Sequence, residues 1–118
     1  MHELSICQSL VDAIAAEMRK IKPPPKRLLK ASVTAGALRQ IIPDHLASAY
    51  EIMTKGTALE GSKLEIIPMP LAGECEACGW RGEFSIEGFR CPACGSKKAR
   101  ITGGRELHLS ALEVEHDS

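Results

Sequence analysis

Apolar residues recur at three- and four-residue steps from Cys7 through Leu10, Val11, Ile14, Met18 and Ile21. On a helix these positions share one face, so residues 4–21 are predicted to form an amphipathic helix. Asp12, Glu17, Arg19 and Lys20 fall on its flanks and far side. Pro23-Pro24-Pro25 stops it, because proline lacks an amide proton and its ring clashes with the preceding turn. The same three residues make a stiff, extended connection. The period then changes. Leu29, Ala31, Val33 and Ala35 alternate with Lys30, Ser32, Thr34 and Gly36, which predicts a strand over 28–38 with one apolar face. Pro43 opens a second helix with Leu46, Ala49, Tyr50 and Met53 as its buried stripe, and Lys55-Gly56 closes it. A short strand around Leu64-Glu65-Ile66 is expected to end at Pro68 and Pro70. Strand alternation returns from Ala99 to Glu115, broken at Gly103-Gly104. There Leu107, Leu109 and Ala111 share a face while Leu112 and Val114 fall out of register, which predicts a bulge near Ala111.

The order is helix, strand, helix, strand, insert, strand. Two helices and about three strands imply an α+β fold, with a small three-stranded sheet and both helices on one face. The segment 73–98 interrupts two strands and carries four of the five cysteines. The expected organisation is therefore a discontinuous α+β domain of residues 1–72 and 99–118, with an inserted four-cysteine, zinc-ribbon-like domain of residues 73–98.

The four cysteines form two knuckles, Cys75-Glu-Ala-Cys78-Gly79 and Cys91-Pro-Ala-Cys94-Gly95. Each C-x-x-C loop turns two thiolates inward, and the glycine that follows frees the backbone to take a positive φ. Together they supply the tetrahedral sulfur shell that structural Zn(II) prefers. The twelve residues between Cys78 and Cys91 fit one short hairpin. A full sulfur shell leaves no open coordination position, so this metal is expected to hold a fold together, and the function lies elsewhere.

Composition removes several alternatives. Lys+Arg and Asp+Glu are both 15, so the basic excess that displaces counterions from nucleic acid is missing. Aromatic residues are only 3%, too few for a single-strand stacking platform. Met1-His2-Glu3-Leu4 is no basic start to an apolar run, so no signal peptide is expected, and no apolar stretch approaches membrane-spanning length. A cytoplasmic location without a membrane partner is the expectation. In that reducing compartment paired cysteines act as metal ligands rather than disulfides.

The start of the chain offers a second metal site. The α-amine of Met1, the His2 amide nitrogen and the His2 Nδ1 can close successive five- and six-membered chelate rings. Three nitrogens near a plane suit Ni(II) or Cu(II), and Glu3 offers a fourth donor. The amide nitrogen binds only when deprotonated, so the site weakens as pH falls. The plainer reading is that His2 is a terminal residue and Glu3 an acid favoured at a helix start.

Met1-His2-Glu3-Leu4-Ser5 with Ser9-Leu10-Val11 resembles the start of the HypA/HybF proteins. The resemblance continues through Ile42-Pro43-Asp44, Thr54-Lys55-Gly56-Thr57 and Glu60-Gly61-Ser62-Lys63-Leu64-Glu65-Ile66, both knuckles, and Ile101-Thr102-Gly103-Gly104-Arg105-Glu106-Leu107. These are nickel-insertion metallochaperones of NiFe-hydrogenase maturation. The resemblance implies Ni(II) cargo at Met1, His2 and Glu3, and structural Zn(II) at Cys75, Cys78, Cys91 and Cys94. It implies a partner GTPase, delivery to the hydrogenase large subunit, in some organisms service to urease, and no enzymatic activity. Cys7 stands where relatives commonly carry a small residue; it reads as a buried hydrophobe, with a soft nickel ligand as the sharper alternative. His108 is a candidate further donor on a polar strand face, and His45 and His116 read as solvent residues. The rival readings are a rubredoxin-like electron carrier, a zinc-ribbon nucleic-acid module using Lys97, Lys98 and Arg100, and a thiol redox enzyme, for which one C-x-x-C would suffice.

Overall fold

A computed structural model describes residues 2–116, with the side chains of His2 and Glu3 outside that description. Helix α1 spans His2–Lys20 and carries Arg19 and Lys20 in its last turn, where cations complement the helix dipole. Strand β1 (Arg27–Gly36) follows the prolines, and a 3-10 turn over Ala37–Arg39 follows β1. Helix α2 (Pro43–Thr54) has proline in its first turn, as the sequence predicts. Strands β2 (Lys63–Met69), β3 (Ala72–Cys75), β4 (Arg81–Glu83), β5 (Ala99–Gly103) and β6 (Leu107–Glu115) complete the chain.

The strands form two three-stranded sheets, ordered β2-β1-β6 and β4-β3-β5. The fold is α+β, as expected, but the sequence reading differs in three places. Strand β2 runs through Pro68 to Met69; it is an edge strand, where a missing amide proton costs no ladder bond. The alternation over 99–115 is two strands in different sheets, not one interrupted strand. Gly104, at φ +118, makes the turn between them. The strand expected over 28–38 ends at Gly36, and Leu38 sits in the 3-10 turn. Along β6 the half-buried side chains shift phase at Ser110 and Ala111, both exposed, close to where the sequence loses register.

The chain divides into two compact units. The first comprises Met1–Val33, Ile41–Ile67 and His108–Ser118. Its buried residues include Cys7, Leu10 and Ile14 of α1, Leu46 and Tyr50 of α2, and Leu28, Ala31 and Val33 of β1. As the central strand, β1 is the most buried of its sheet. Full burial of each leucine or isoleucine contributes about 1.5–3 kcal/mol. Tyr50 is 1% exposed, and its hydroxyl lies 2.7 Å from Ser62 Oγ, so its polar end is satisfied inside the core. Thr54 Oγ1 donates to the Tyr50 carbonyl (2.8 Å) and Thr57 Oγ1 to the Thr54 carbonyl (2.6 Å). Gly56 N–H reaches Glu60 Oε1 at 3.2 Å, and Ser62 Oγ donates to the Leu59 carbonyl at 2.6 Å. These bonds give the Thr54–Thr57 and Glu60–Ser62 motifs a physical role: they fix the connection from α2 to β2.

The second unit comprises Thr34–Gln40 and Pro68–Leu107. Strand β3 pairs antiparallel with β4 (Gly73 opposite Gly82) and with β5 (Cys75 opposite Ala99). The 3-10 segment is tied in by Gly36 N–H to the Glu106 carbonyl (2.7 Å), Leu38 N–H to the Gly104 carbonyl (2.8 Å) and Arg39 Nε to the Arg105 carbonyl (2.9 Å).

Candidate metal centre

Strand β3 delivers Cys75 to the start of the first knuckle. The Gly79 N–H returns to the Cys75 carbonyl at 2.9 Å, the Cys75 N–H reaches the Trp80 carbonyl at 2.7 Å, and Gly79 takes φ +82. The second knuckle repeats the construction. Gly95 N–H bonds the Cys91 carbonyl and Cys91 N–H the Ser96 carbonyl, each at 2.8 Å, with Gly95 at φ +78. The two glycines are required because each loop must turn back within one residue of its second cysteine. Cys75 and Cys91 are buried; Cys78 and Cys94 are exposed.

All four sulfurs lie within 4.8 Å of one another. Cys75 Sγ is 3.6 Å from Cys94 Sγ, and Cys78 Sγ is 3.7 Å from Cys91 Sγ. A tetrahedron with metal–sulfur bonds of about 2.3 Å has edges of about 3.8 Å, so these spacings fit a zinc-sized ion. They are far too long for disulfides, and all four thiols are free. The Cys78 backbone N–H donates to the Cys75 sulfur and brings that thiol down to about 7, against the opposing effect of its burial. The Trp80 N–H favours the Cys78 thiolate, but desolvation and the three neighbouring sulfurs push Cys78 up to about 12. The Ser96 N–H is likewise outweighed at Cys94, which Cys75 and desolvation raise. One thiolate forms readily; four together need a divalent cation, which lowers the pKa of every sulfur it binds.

The cluster rests on a small core of Leu71, Cys75, Phe84 and Cys91, flanked by Ala37, Trp80, Phe89, Ala99 and Ile101. Trp80 meets Phe84 edge-on at 5.5 Å, and Phe84 lies 5.2 Å from Phe89. Three of the chain's four aromatic residues are thus gathered beneath the sulfurs. The sequence reading used them only as a count; Trp80, directly after the first knuckle, was the available signal. Gly73 is needed for close packing, since a Cβ there would stand 2.9 Å from the Arg100 carbonyl oxygen and 3.2 Å from the Phe84 ring. On the surface Glu74 Oε2 meets Arg81 Nε at 3.2 Å and Arg100 Nη2 at 3.0 Å. This trio spans the three strands, and as an exposed network it contributes at most about 1 kcal/mol per pair.

The structure brings the four predicted cysteines together. The nickel candidate at the start of the sequence falls differently: Met1 and the side chains of His2 and Glu3 lie outside the described residues. Cys7, one turn from Glu3, is 0% exposed, and burial raises its thiol pKa, so it packs as a small hydrophobe. His45, His108 and His116 are exposed.

A protein-family model described as hydrogenase/urease nickel incorporation, metallochaperone, HypA matches residues 1–114. The hydrogenase maturation factor HypA of Geobacter metallireducens is 38% identical over 117 residues, covering 98% of this chain and 100% of that protein. The factor of the same name from Roseiflexus sp. (strain RS-1) is 39% identical over 119 residues, covering 100% and 95%. Two solved structures share the fold. The solution structure of the Ni metallochaperone HypA from Helicobacter pylori has a TM-score of 0.66 at 22% identity, covering 98% of each chain. A second, the solution structure of HypA protein, has a TM-score of 0.69 at 24% identity, covering 99% of this chain and 98% of the other.

Proposed function

The chain belongs to the HypA family of hydrogenase/urease nickel-incorporation metallochaperones, and from that premise we propose that it carries Ni(II) at its N-terminus and Zn(II) in its four cysteines. Members of this family are metallochaperones and not enzymes. The match over residues 1–114 takes in far more than the cysteine segment, which is all that the electron-carrier, redox and nucleic-acid readings accounted for.

The nickel donors in this reading are the Met1 amine, the His2 amide and imidazole nitrogens, and Glu3. Cys75, Cys78, Cys91 and Cys94 hold the zinc. Soft thiolates retain zinc while nitrogen and oxygen donors accept nickel, so one small protein sorts two divalent ions. A site at a chain end requires few packed groups to move when cargo is handed over. Cys7, Leu10 and Ile14 of α1 are buried, so the helix that follows the proposed donors is anchored in the core. The receiving protein in this reading is the hydrogenase large subunit, reached with a maturation GTPase in the cytoplasm, and urease maturation proteins where urease is served. In this reading the unit that holds α1, α2 and most of sheet β2-β1-β6 carries the cargo, and the unit that holds sheet β4-β3-β5 carries the structural metal.

The observation that carries this reading is the family match beginning at residue 1, across Met1-His2-Glu3. The test is a calorimetric nickel titration of untagged protein against the same chain acetylated at Met1. Tight binding only to the free amine, with equal zinc content in both samples, supports it; equal nickel affinity in both overturns it.

A further inference from the structure

The second half of α1 borders an open groove of about 400 Å3. Val11, Ala15 and Met18 form its wall on α1, Pro25 closes one side, and Ala58 and Leu59 of the loop after α2 close the other. Of the remaining lining residues only Arg19 and Thr57 are polar. The wall residues on α1 are spaced four and three apart, two turns of one helical stripe.

The charge near this groove is mixed along α1 and the loop, with Asp12, Glu17 and Glu60 adjoining lining residues, but it is mainly positive where α1 runs into the prolines. Arg19, Lys20, Lys22, Lys26 and Arg27 place five cations within nine residues of the end of α1 and the proline connection. Glu17 answers Lys20 at 3.1 Å, and Glu115 answers Arg27 at 2.9 Å. Among the described residues Arg19, Lys22 and Lys26 have no carboxylate partner. Arg19 lines the groove itself, and Lys22 and Lys26 flank its prolines. An apolar trough lined by one cation, Arg19, with Lys22 and Lys26 two residues or fewer from its proline lining, is complementary to a helix carrying leucine-like residues on one side and carboxylates beside them.

We propose that this groove docks an acidic amphipathic helix of a partner protein. The apolar side of that helix lies against Val11, Ala15, Met18 and Leu59, and its carboxylates meet Arg19, Lys22 and Lys26. The concavity favours a helix over a lipid surface: Leu59 is buried and Val11, Ala15 and Met18 are half-buried, whereas a bilayer takes up protruding apolar residues. The groove lies about 14–24 Å along α1 from His2, at roughly 1.5 Å per residue. A partner held there leaves the N-terminal residues open for transfer of cargo, and the docking itself does not depend on nickel.

The test is an NMR titration of the nitrogen-15-labelled, zinc-loaded full chain. The probes are two capped peptides of about four helical turns, one of leucine and glutamate with the leucines at helical i, i+3, i+4, i+7 spacing, the other with lysine replacing glutamate. The glutamate peptide should shift the Ala15, Met18, Ala58 and Leu59 amides in a saturable way and bind at least about tenfold more tightly than the lysine peptide, with the difference shrinking as salt rises. Met18→Glu should remove these shifts. The double change Arg19→Glu with Lys22→Glu, at exposed positions that leave the fold intact, should reverse the preference between the peptides. Equal response to both peptides overturns the proposal, as does no response at millimolar glutamate peptide. So do shifts confined to other surfaces, concentration-dependent shifts of the same amides without peptide (a second copy in the groove), or loss of those signals with phosphatidylglycerol vesicles but not with peptide.

Discussion

The Cys75 sulfur lies 3.6 Å from the Cys94 sulfur, so the first ligand of one knuckle faces the last ligand of the other. Cys78 and Cys91 repeat the relation at 3.7 Å. The two short edges therefore join the knuckles to each other, and every ligand lost breaks the tie between them. Among the described residues the hydrophobic cluster beneath them has two buried large side chains, Leu71 and Phe84, besides the cysteines. A core that small does not fold without a metal or another cross-link.

Cys75→Ala should accordingly lose its zinc and unfold the second unit while α1 and α2 stay helical. A chromogenic chelator should find close to no zinc in the purified variant, against about one equivalent per chain in the parent. Trp80, which packs on Phe84 at 5.5 Å, should shift its fluorescence to the red. Full zinc occupancy in this variant would remove Cys75 from the ligand set.

The hydroxyl of Tyr50 provides a separate measure of how α2 is joined to β2. Tyr50→Phe keeps the ring and leaves Ser62 Oγ without its 2.7 Å partner. Ser62 keeps its bond to the Leu59 carbonyl, so the loss should be modest, about 0.5–1.5 kcal/mol in urea unfolding. Tyr50→Ala empties a site that is 1% exposed and should cost about 3–5 kcal/mol. Similar losses for the two variants would mean that the ring is not packed as described.

Burial of Cys7 makes stability depend on alkaline pH. Its thiol pKa is raised above 9.0 in the folded chain by desolvation, so the folded state holds a proton that the unfolded state has already released. The stabilisation is complete below the unfolded pKa and is lost as pH rises through it towards the folded value. Stability should fall from about pH 8.5 upward, and Cys7→Ala should flatten that slope relative to the parent. The same burial should keep Cys7 silent towards thiol reagents at pH 8 until denaturant is added. Rapid labelling of Cys7 in the native, zinc-loaded protein would contradict it.

Gly36 tests a close approach. A Cβ at this position would run into the Gly104 backbone and stand 2.6 Å from Glu106 Oε1. Gly36→Ala should destabilise by about 1–3 kcal/mol. Gly56→Ala meets no atom within 4 Å and carries only the strain of its φ of +77, about 1–2 kcal/mol. If the two variants share one cause, their losses will respond alike to replacement by asparagine, which tolerates positive φ. Asparagine should relieve the defect at 56 and worsen it at 36.

Much of this architecture was legible because the signals were local. The stripe from Cys7 to Ile21, read as a helix over residues 4–21, places α1 within two residues of its observed ends, and Pro43 marks the start of α2. The sulfur quartet follows from spacing alone, since a knuckle is built within five residues. The second sheet was not legible. Strands β3 and β4 are four and three residues long, too short to show a period, and exist through their pairing with each other and with β5. Pro68 misled because a proline reads as a stop unless the strand is known to lie at an edge. Ile101 and Leu109 look alike in sequence, yet one packs against the cluster of Leu71, Cys75, Phe84 and Cys91 and the other belongs to the sheet β2-β1-β6; alternation reports a face, not a sheet.

The nickel site is open to a test that spares the rest of the molecule. In the proposed arrangement His2 supplies both its imidazole and its amide nitrogen, so His2→Ala removes one donor and weakens the chelate formed by the others. Calorimetry should show tight nickel binding abolished, with zinc content and circular dichroism unchanged, because the core of α1 begins at Cys7. Acid should act in the same direction. The amine, imidazole and amide must all be free of protons to bind the metal, so affinity should fall as pH drops from 7.5 to 6 by more than one proton's worth, at least about tenfold per unit. Zinc held by four thiolates should stay bound across that range. If His2→Ala binds nickel as the parent does, and with the same pH slope, the donors lie elsewhere in the chain.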